Sequence, residues 1–130
     1  PEAAAALGVP ETRIYKTLLV EVDGRGLVAA VLPVADQLDL KALAGALGAR
    51  RARLADPEVA VRATGYVVGG ISPVGQRRTH PTVIDAAVTA LPTVFVSAGR
   101  RGLQLELAPA DLLRVTGART APLGRAHRDR

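Results

Sequence analysis

Along residues 14–22 apolar and polar positions alternate. Ile14, Lys16, Leu18, Val20 and Val22 fall on one side of an extended chain, and Tyr15, Thr17, Leu19 and Glu21 fall on the other. The pattern predicts a half-buried strand. Asp23-Gly24 then signals a hairpin, Gly26 adds room for a bulge, and residues 27–32 form the partner strand. The period changes after Asp39: Leu40, Leu43, Ala44 and Leu47 share one helical face, and Gly48 stops the run. Arg50, Arg51 and Arg53 flank a short strand ending near Leu54. Asp56-Pro57-Glu58 opens a second helix with Asp56 as its cap and Pro57 in its first turn, and Gly65 closes it. Residues 66–68 are apolar and read as a short buried strand. Further strands are expected at 83–85, 93–97 and 103–107, the last two joined through Gly99-Arg100-Arg101-Gly102. A helix from Pro109 stops at Gly117, and another is expected over residues 1–8, ending at Gly8.

Short strands joined by hairpins, with helices between them, imply an α+β fold around a mixed, largely antiparallel sheet or partial barrel. The regular strand–helix alternation of a dinucleotide-binding fold is absent. With 130 residues and no linker or repeat, one domain over 1–124 is expected, followed by a basic tail over 125–130.

Composition narrows the chemistry. The chain has no cysteine, which excludes disulfides, a thiolate nucleophile and Cys-based metal sites. Its two histidines, His80 and His127, are too few for a multi-histidine metal centre. The formal net charge is +5, but three arginines and one aspartate of that balance lie in 125–130. The body of the chain is therefore only mildly basic, which permits a nucleic-acid partner without requiring one. With Tyr15, Tyr66 and Phe95 as the only aromatics, a surface that stacks many bases is not expected. No membrane span or signal segment is apparent, and a cytoplasmic protein is expected.

Three segments could carry chemistry. Lys16, one of only two lysines, stands on an otherwise apolar strand face. It either snorkels from the strand's start or marks a polar pocket, with its ammonium at most weakly paired. Residues 69–75 hold three glycines and a proline, which suits either a tight turn or a backbone that approaches a ligand closely. Ser97-Ala98-Gly99-Arg100-Arg101-Gly102 ends a strand with two arginines on its turn. Together with Arg77 and Arg78 they form either solvated tips or a phosphate-facing rim. Neither Ser72 nor Ser97 lies in a nucleophile elbow, and His80 beside Pro81 reads as a loop residue. Asp85 reads as the cap of the Ala-rich segment after it.

Tyr15-Lys16-Thr17-Leu18-Leu19, residues 64–75 with Gly69-Gly70-Ile71-Ser72-Pro73, residues 81–85 and residues 101–112 together resemble the YbaK family. Its members are bacterial Cys-tRNA(Pro) deacylases related to the editing domain of prolyl-tRNA synthetases. The likeness runs in order from about residue 2 to residue 118. It implies a mixed barrel of six or seven strands with peripheral helices, no metal and no organic cofactor. The implied activity is hydrolysis of the ester between cysteine and a mischarged tRNA(Pro), with prolyl-tRNA synthetase as a further partner. Lys16 and Gly69 match the positions implied to be catalytic. Thr17, Gly70, Ile71, Ser72, Pro73, Ser97, Ala98 and Gly99 match substrate-binding ones, and Arg77, Arg78, Arg100 and Arg101 are the candidate tRNA contacts. The resemblance also implies that the substrate's own thiol attacks its carbonyl, so that no protein nucleophile is needed. Two departures stand out. The thirty or so residues that family members carry ahead of the segment matching Ala3-Ala4 are absent from this sequence, and Ala98 replaces a usual glycine. Editing of Ala- or Ser-tRNA, a non-catalytic tRNA-binding module and a regulatory protein of the same fold remain alternatives. Thr17 after Lys16 favours the cysteine branch.

Overall fold

The computed structural model describes residues 8–125. The helix expected over 1–8 and most of the expected tail, His127 included, lie outside the described residues. After a 3₁₀ turn at Glu11–Arg13 come strands β1 (Tyr15–Val22), β2 (Gly26–Pro33) and β3 (Gln37–Leu38), then helix α1 (Leu40–Ala46). Strand β4 (Ala52–Leu54) and helix α2 (Pro57–Thr64) follow. Next are β5 (Thr82–Asp85), a 3₁₀ turn at Ala86–Ala90, β6 (Val94–Arg100), β7 (Leu103–Leu107) and helix α3 (Pro109–Thr116). Strands β8 (Arg119–Ala121) and β9 (Gly124–Arg125) complete the described residues.

The α+β class is as expected, but the sheet is not the six- or seven-stranded barrel that the resemblance implied. Five strands form the main sheet in the order β4-β1-β2-β5-β8, and β3-β9 and β6-β7 are separate two-stranded ribbons. Pairing is antiparallel for β4-β1-β2 and parallel for β2-β5-β8. Closure fails at β1. Strand β4 pairs only with residues 20–22 of β1, and the β6–β7 ribbon meets the chain ahead of β1 through a single bridge, Ile14 to Phe95. Among the described residues the edge of β1 between those contacts is open.

Both faces of β1 are covered, so the strand is central and not half-buried. Val20 and Val22 pack with Leu43 and Leu47, on α1 and just after it, whereas Tyr15 joins Val88, Val94, Val96 and Leu112 on the other side. Leu19 meets Ala60 of α2 and Ile71. Each such buried aliphatic contributes roughly 1.5–3 kcal/mol. The helix signals hold. Asp39 accepts from the Ala42 N–H, Pro57 sits in the first turn of α2, and Gly65 and Gly117 end their helices in the left-handed conformation. Asp56 occupies the cap position of α2 without a side-chain cap bond.

Residues 66–68 are not a buried strand. Val67 and Val68 are 54% and 45% exposed, because the chain turns there, with the Gly70 N–H on the Val67 carbonyl at 2.9 Å. Asp85 does more than cap. One oxygen accepts from the Ala87 N–H, while the other accepts from the Leu123 and Gly124 N–H groups and pins the C-terminal strand pair. No helix among the described residues is long and apolar enough to cross a membrane.

Candidate functional site

The open edge of β1 borders a cleft of about 950 Å³. Its floor is β1 from Tyr15 to Leu19, and one wall is Leu54, Ala55, Pro57 and Ala60. Val68, Gly69 and Ile71 form a second wall, and the β6–β7 ribbon closes it with Ser97, Arg101, Leu103 and Gln104. An extended strand points the N–H and C=O of alternate residues to the same edge. Since the Leu19 carbonyl takes the Ala55 N–H at 2.9 Å, the backbone of Thr17 faces the same edge, beyond the reach of β4.

Lys16 lies at the end of the β1 face that carries Val20 and Val22. Its ammonium is not loosely held, as the sequence suggested. It donates to the Val34 carbonyl at 3.2 Å and to the Asp36 carbonyl at 2.6 Å, both in the turn after β2. Burial pulls its pKa below the ordinary lysine value, and the nearby Asp36 carboxylate opposes that shift. An ammonium has three donors. Two are fixed on carbonyls, which aims the group and leaves one N–H for a ligand. Burial also raises the Asp36 pKa, helped by Asp85 and opposed by Lys16.

Thr17 is 8% exposed, and its hydroxyl is buried without a hydrogen-bond partner. The side-chain oxygen of Gln104 is in the same condition. Both residues line the cleft. A buried polar group left unsatisfied costs about 1–3 kcal/mol, so two in one cleft mark a place where a polar ligand completes the bonding. Gln104 was not singled out in the sequence. The signal was there, however, in a lone amide between Leu103 and Leu105 on a strand. Tyr15 also lines the cleft, and its hydroxyl is likewise unpartnered. Burial first, and then Asp85 and Asp36, push its pKa far up, so it stays a neutral phenol.

The structure divides the remaining candidates. Gly69, Ile71, Ser97 and Arg101 join Lys16 and Thr17 in the cleft lining, whereas Gly70, Ser72, Pro73, Ala98, Gly99, Arg77, Arg78 and Arg100 are not part of it. Gly70 is a packing residue: a Cβ there would stand 2.8 Å from the Arg100 Cα. Its carbonyl accepts from the Ser97 hydroxyl, which in turn accepts from the Gly99 N–H, so Ser97 ties the ribbon to the loop. Ser72 is buried and braces the loop through the Val74 N–H, and Gln76 donates to the Ser72 carbonyl while meeting His80 Nδ1 at 2.7 Å. The Tyr66 hydroxyl donates to the Val74 and Gly75 carbonyls. The four arginines do not form one rim. Arg77 borders a separate hollow beside α2 with Pro57, Glu58 and Arg62. Arg101 alone reaches the cleft, donating from Nε and a terminal nitrogen to the Val68 carbonyl at 3.2 and 2.9 Å. Among the described residues no group of three or more histidine, aspartate or glutamate side chains could hold a metal ion.

The profile of the aminoacyl-tRNA editing domain matches residues 1–115. A protein of Enterococcus faecalis named "Putative Cys-tRNA(Pro)/Cys-tRNA(Cys) deacylase EbsC" is 38% identical over 120 residues, 92% of this chain and 73% of that one. The proline–tRNA ligase of Moorella thermoacetica is 36% identical over 104 residues, 80% of this chain but only 18% of the ligase. Among solved structures, one described as "a putative trans-editing enzyme for prolyl tRNA synthetase" superposes with a TM-score of 0.87 at 30% identity. That match covers 96% of this chain and 78% of the other.

Proposed function

The chain belongs to the aminoacyl-tRNA editing domain family, and on that premise we propose that it is a trans-editing deacylase cleaving the ester between cysteine and mischarged tRNA(Pro). The observation that carries this reading is the ammonium of Lys16. It is fixed by two carbonyls with one donor to spare, in the same cleft as Gly69. The spare N–H holds the aminoacyl end of the substrate, and Gly69, without a side chain, lets the ester carbonyl come close to the loop backbone. Thr17 and Gln104 supply polar contacts to the amino acid.

No protein nucleophile takes part. The cysteine sulfur attacks its own carbonyl carbon, the bond to the ribose oxygen breaks, and that oxygen takes up a proton. A thiolactone leaves and is hydrolysed in water. The two reacting groups already share one residue, and effective molarities of well-oriented intramolecular pairs reach roughly 10⁵ M or more. The single domain over 1–124 works on tRNA in the cytoplasm, alone or beside prolyl-tRNA synthetase.

Deacylation of Cys-, Ser- and Ala-tRNA(Pro) tests the proposal. Cys-tRNA(Pro) should be cleaved far faster than Ser-tRNA(Pro), because a hydroxyl is a much weaker nucleophile than a thiol at neutral pH. Equal rates, or a trapped aminoacyl-enzyme, would refute the thiol mechanism. Preference for Ala-tRNA(Pro) would move the chain to the alternative editing branch, and no turnover of any of the three would leave a binding module.

A further inference from the structure

The described residues lining the cleft include two cations, Lys16 and Arg101, and no aspartate or glutamate. A basic cleft without a carboxylate favours an anion. The aminoacyl group of the proposed substrate is not one, since its free amino group is neutral or positive. The nearest negative charge is the phosphate on the other end of the same terminal ribose. A cleft that takes the ester at Lys16 therefore brings that phosphate toward its own lining.

Arg101 has the geometry to receive it. A guanidinium carries five N–H donors. Arg101 spends two on one neutral carbonyl, that of Val68, and no ion pair among the described residues involves it. Its seat is built into the fold. Gly69 has φ +89°, and Arg101 Nε lies over it, 2.8 Å from where a Cβ would stand, so the glycine leaves this position open to the guanidinium. Arg77 packs over Gly65 beside α2, and neither it nor Arg100 lines the cleft. Arg101 is exposed, which suits a contact at the mouth, where a polynucleotide must leave the cleft.

We infer that Arg101 is the phosphate anchor of the 3′-terminal nucleotide, gripping the phosphodiester that links it to the preceding one. This deepens the deacylase reading and rests on it for the identity of the ligand. Binding then depends on a nucleotide and not on a nucleoside, and Lys16 and Arg101 divide the two ends of one ribose between them.

The test uses ligands without an aminoacyl group. Titrations with AMP, adenosine and inorganic phosphate, followed by NMR, should show AMP binding about tenfold more tightly than adenosine, the gain of one charge-assisted contact. Inorganic phosphate should bind more weakly than AMP. Arg101→Gln should bring AMP down to the affinity of adenosine, whereas Arg77→Gln and Arg114→Gln should leave the tenfold gap. Cytidylyl-adenosine, which carries that one phosphodiester, should likewise bind more tightly than adenosine to the wild type and lose the gain in Arg101→Gln. A thermal melt checks that each variant is folded, and Arg101→Lys should restore part of the gap if charge and not packing is at issue. The inference is overturned if AMP binds no better than adenosine, if neither binds, if phosphate alone binds as well as AMP, or if the gap survives in Arg101→Gln. Because no ester is cleaved in these titrations, absent deacylation with the AMP preference intact would count against the proposed reaction alone.

Discussion

Over residues 20–22 strand β1 is paired on both edges, to β2 and to β4, and Val20 and Val22 are sealed against Leu43 and Leu47. Over residues 15–19 the same strand keeps β2 but has, among the described residues, no partner on the other edge beyond the Ala55 contact, and there it floors the cleft. In the first half the backbone bonds are closed, Val20 and Val22 are aliphatic and Glu21 is paired with Arg53. In the second, an ammonium sits on carbonyls and two hydroxyls lack partners. The lesson is that the site lies where sheet pairing stops. A strand fixed firmly at one end holds Lys16 and Thr17 rigidly at the other, while its missing neighbour leaves space for a ligand.

The largest effects should separate those halves most cleanly. Lys16→Ala should lower kcat/KM on Cys-tRNA(Pro) by about 100-fold or more, the scale of losing one well-placed donor, with little change in melting temperature. Val20→Ala should do the reverse, removing about 2 kcal/mol of stability while leaving kcat/KM near wild type. Parallel losses of activity and stability in both variants would erase the distinction.

The loop opposite β1 gives the next contrast. Gly70→Ala drives a Cβ into the Arg100 backbone and should cost about 1–3 kcal/mol as well as activity. Gly69→Ala meets only the flexible end of Arg101 but must hold φ +89°, a strain of about 1–2 kcal/mol. Gly69→Phe should thus lose activity together with some stability. Urea denaturation ranks the pair, and a Gly70→Ala protein as stable as wild type would refute the packing role of that glycine.

Thr17→Val is a smaller but more telling change. It removes a buried hydroxyl without a partner and keeps the shape, so stability should hold or rise by up to about 1 kcal/mol, while kcat/KM falls about tenfold. A destabilised Thr17→Val with normal turnover would place the hydroxyl among structural groups.

The pH dependence should show the smallest effect. Burial lowers the Lys16 pKa below the ordinary 10.5, so between the folded and unfolded midpoints the unfolded chain binds more protons and stability rises with pH. The penalty for the buried ammonium is fully present below the folded midpoint and is gone above the unfolded one. Relative to Lys16→Met, wild type should therefore gain stability as pH rises toward 10.5 while its deacylation rate declines. Stability curves that stay parallel across that interval would contradict the depressed pKa.

The local elements were legible because their signals are local. Alternation over 14–22, Asp23-Gly24, the Asp39 cap, Pro57 in a first turn and the stops at Gly65 and Gly117 all act within a few residues. Their structures agree with them. Residues 66–68 misled for the same reason. Three apolar residues suit a strand, but Arg101, far along the chain, takes the Val68 carbonyl, and the segment turns instead. Of the site, Lys16, Thr17, Gly69, Ile71, Ser97 and Arg101 were legible as candidates, since a cation on an apolar strand and a glycine-rich loop stand out by composition. Gln104, and the separation of Arg101 from Arg77, were not.

By itself, then, the sequence determined the longer strands and helices, the family and the short set of residues able to do chemistry, but not the short strands β3, β8 and β9, because capping, turn formation and side-chain type are properties of neighbours in the chain. Only the tertiary structure decided that the sheet stops at five strands, that β1 is buried on both faces, and that the Lys16 ammonium rests on the Val34 and Asp36 carbonyls. It also decided which of eight glycine-loop and ribbon candidates face the cleft and which merely pack. Those outcomes depend on the register of segments up to 88 residues apart, as Lys16 and Gln104 are, and on which strand edges the packed helices leave uncovered.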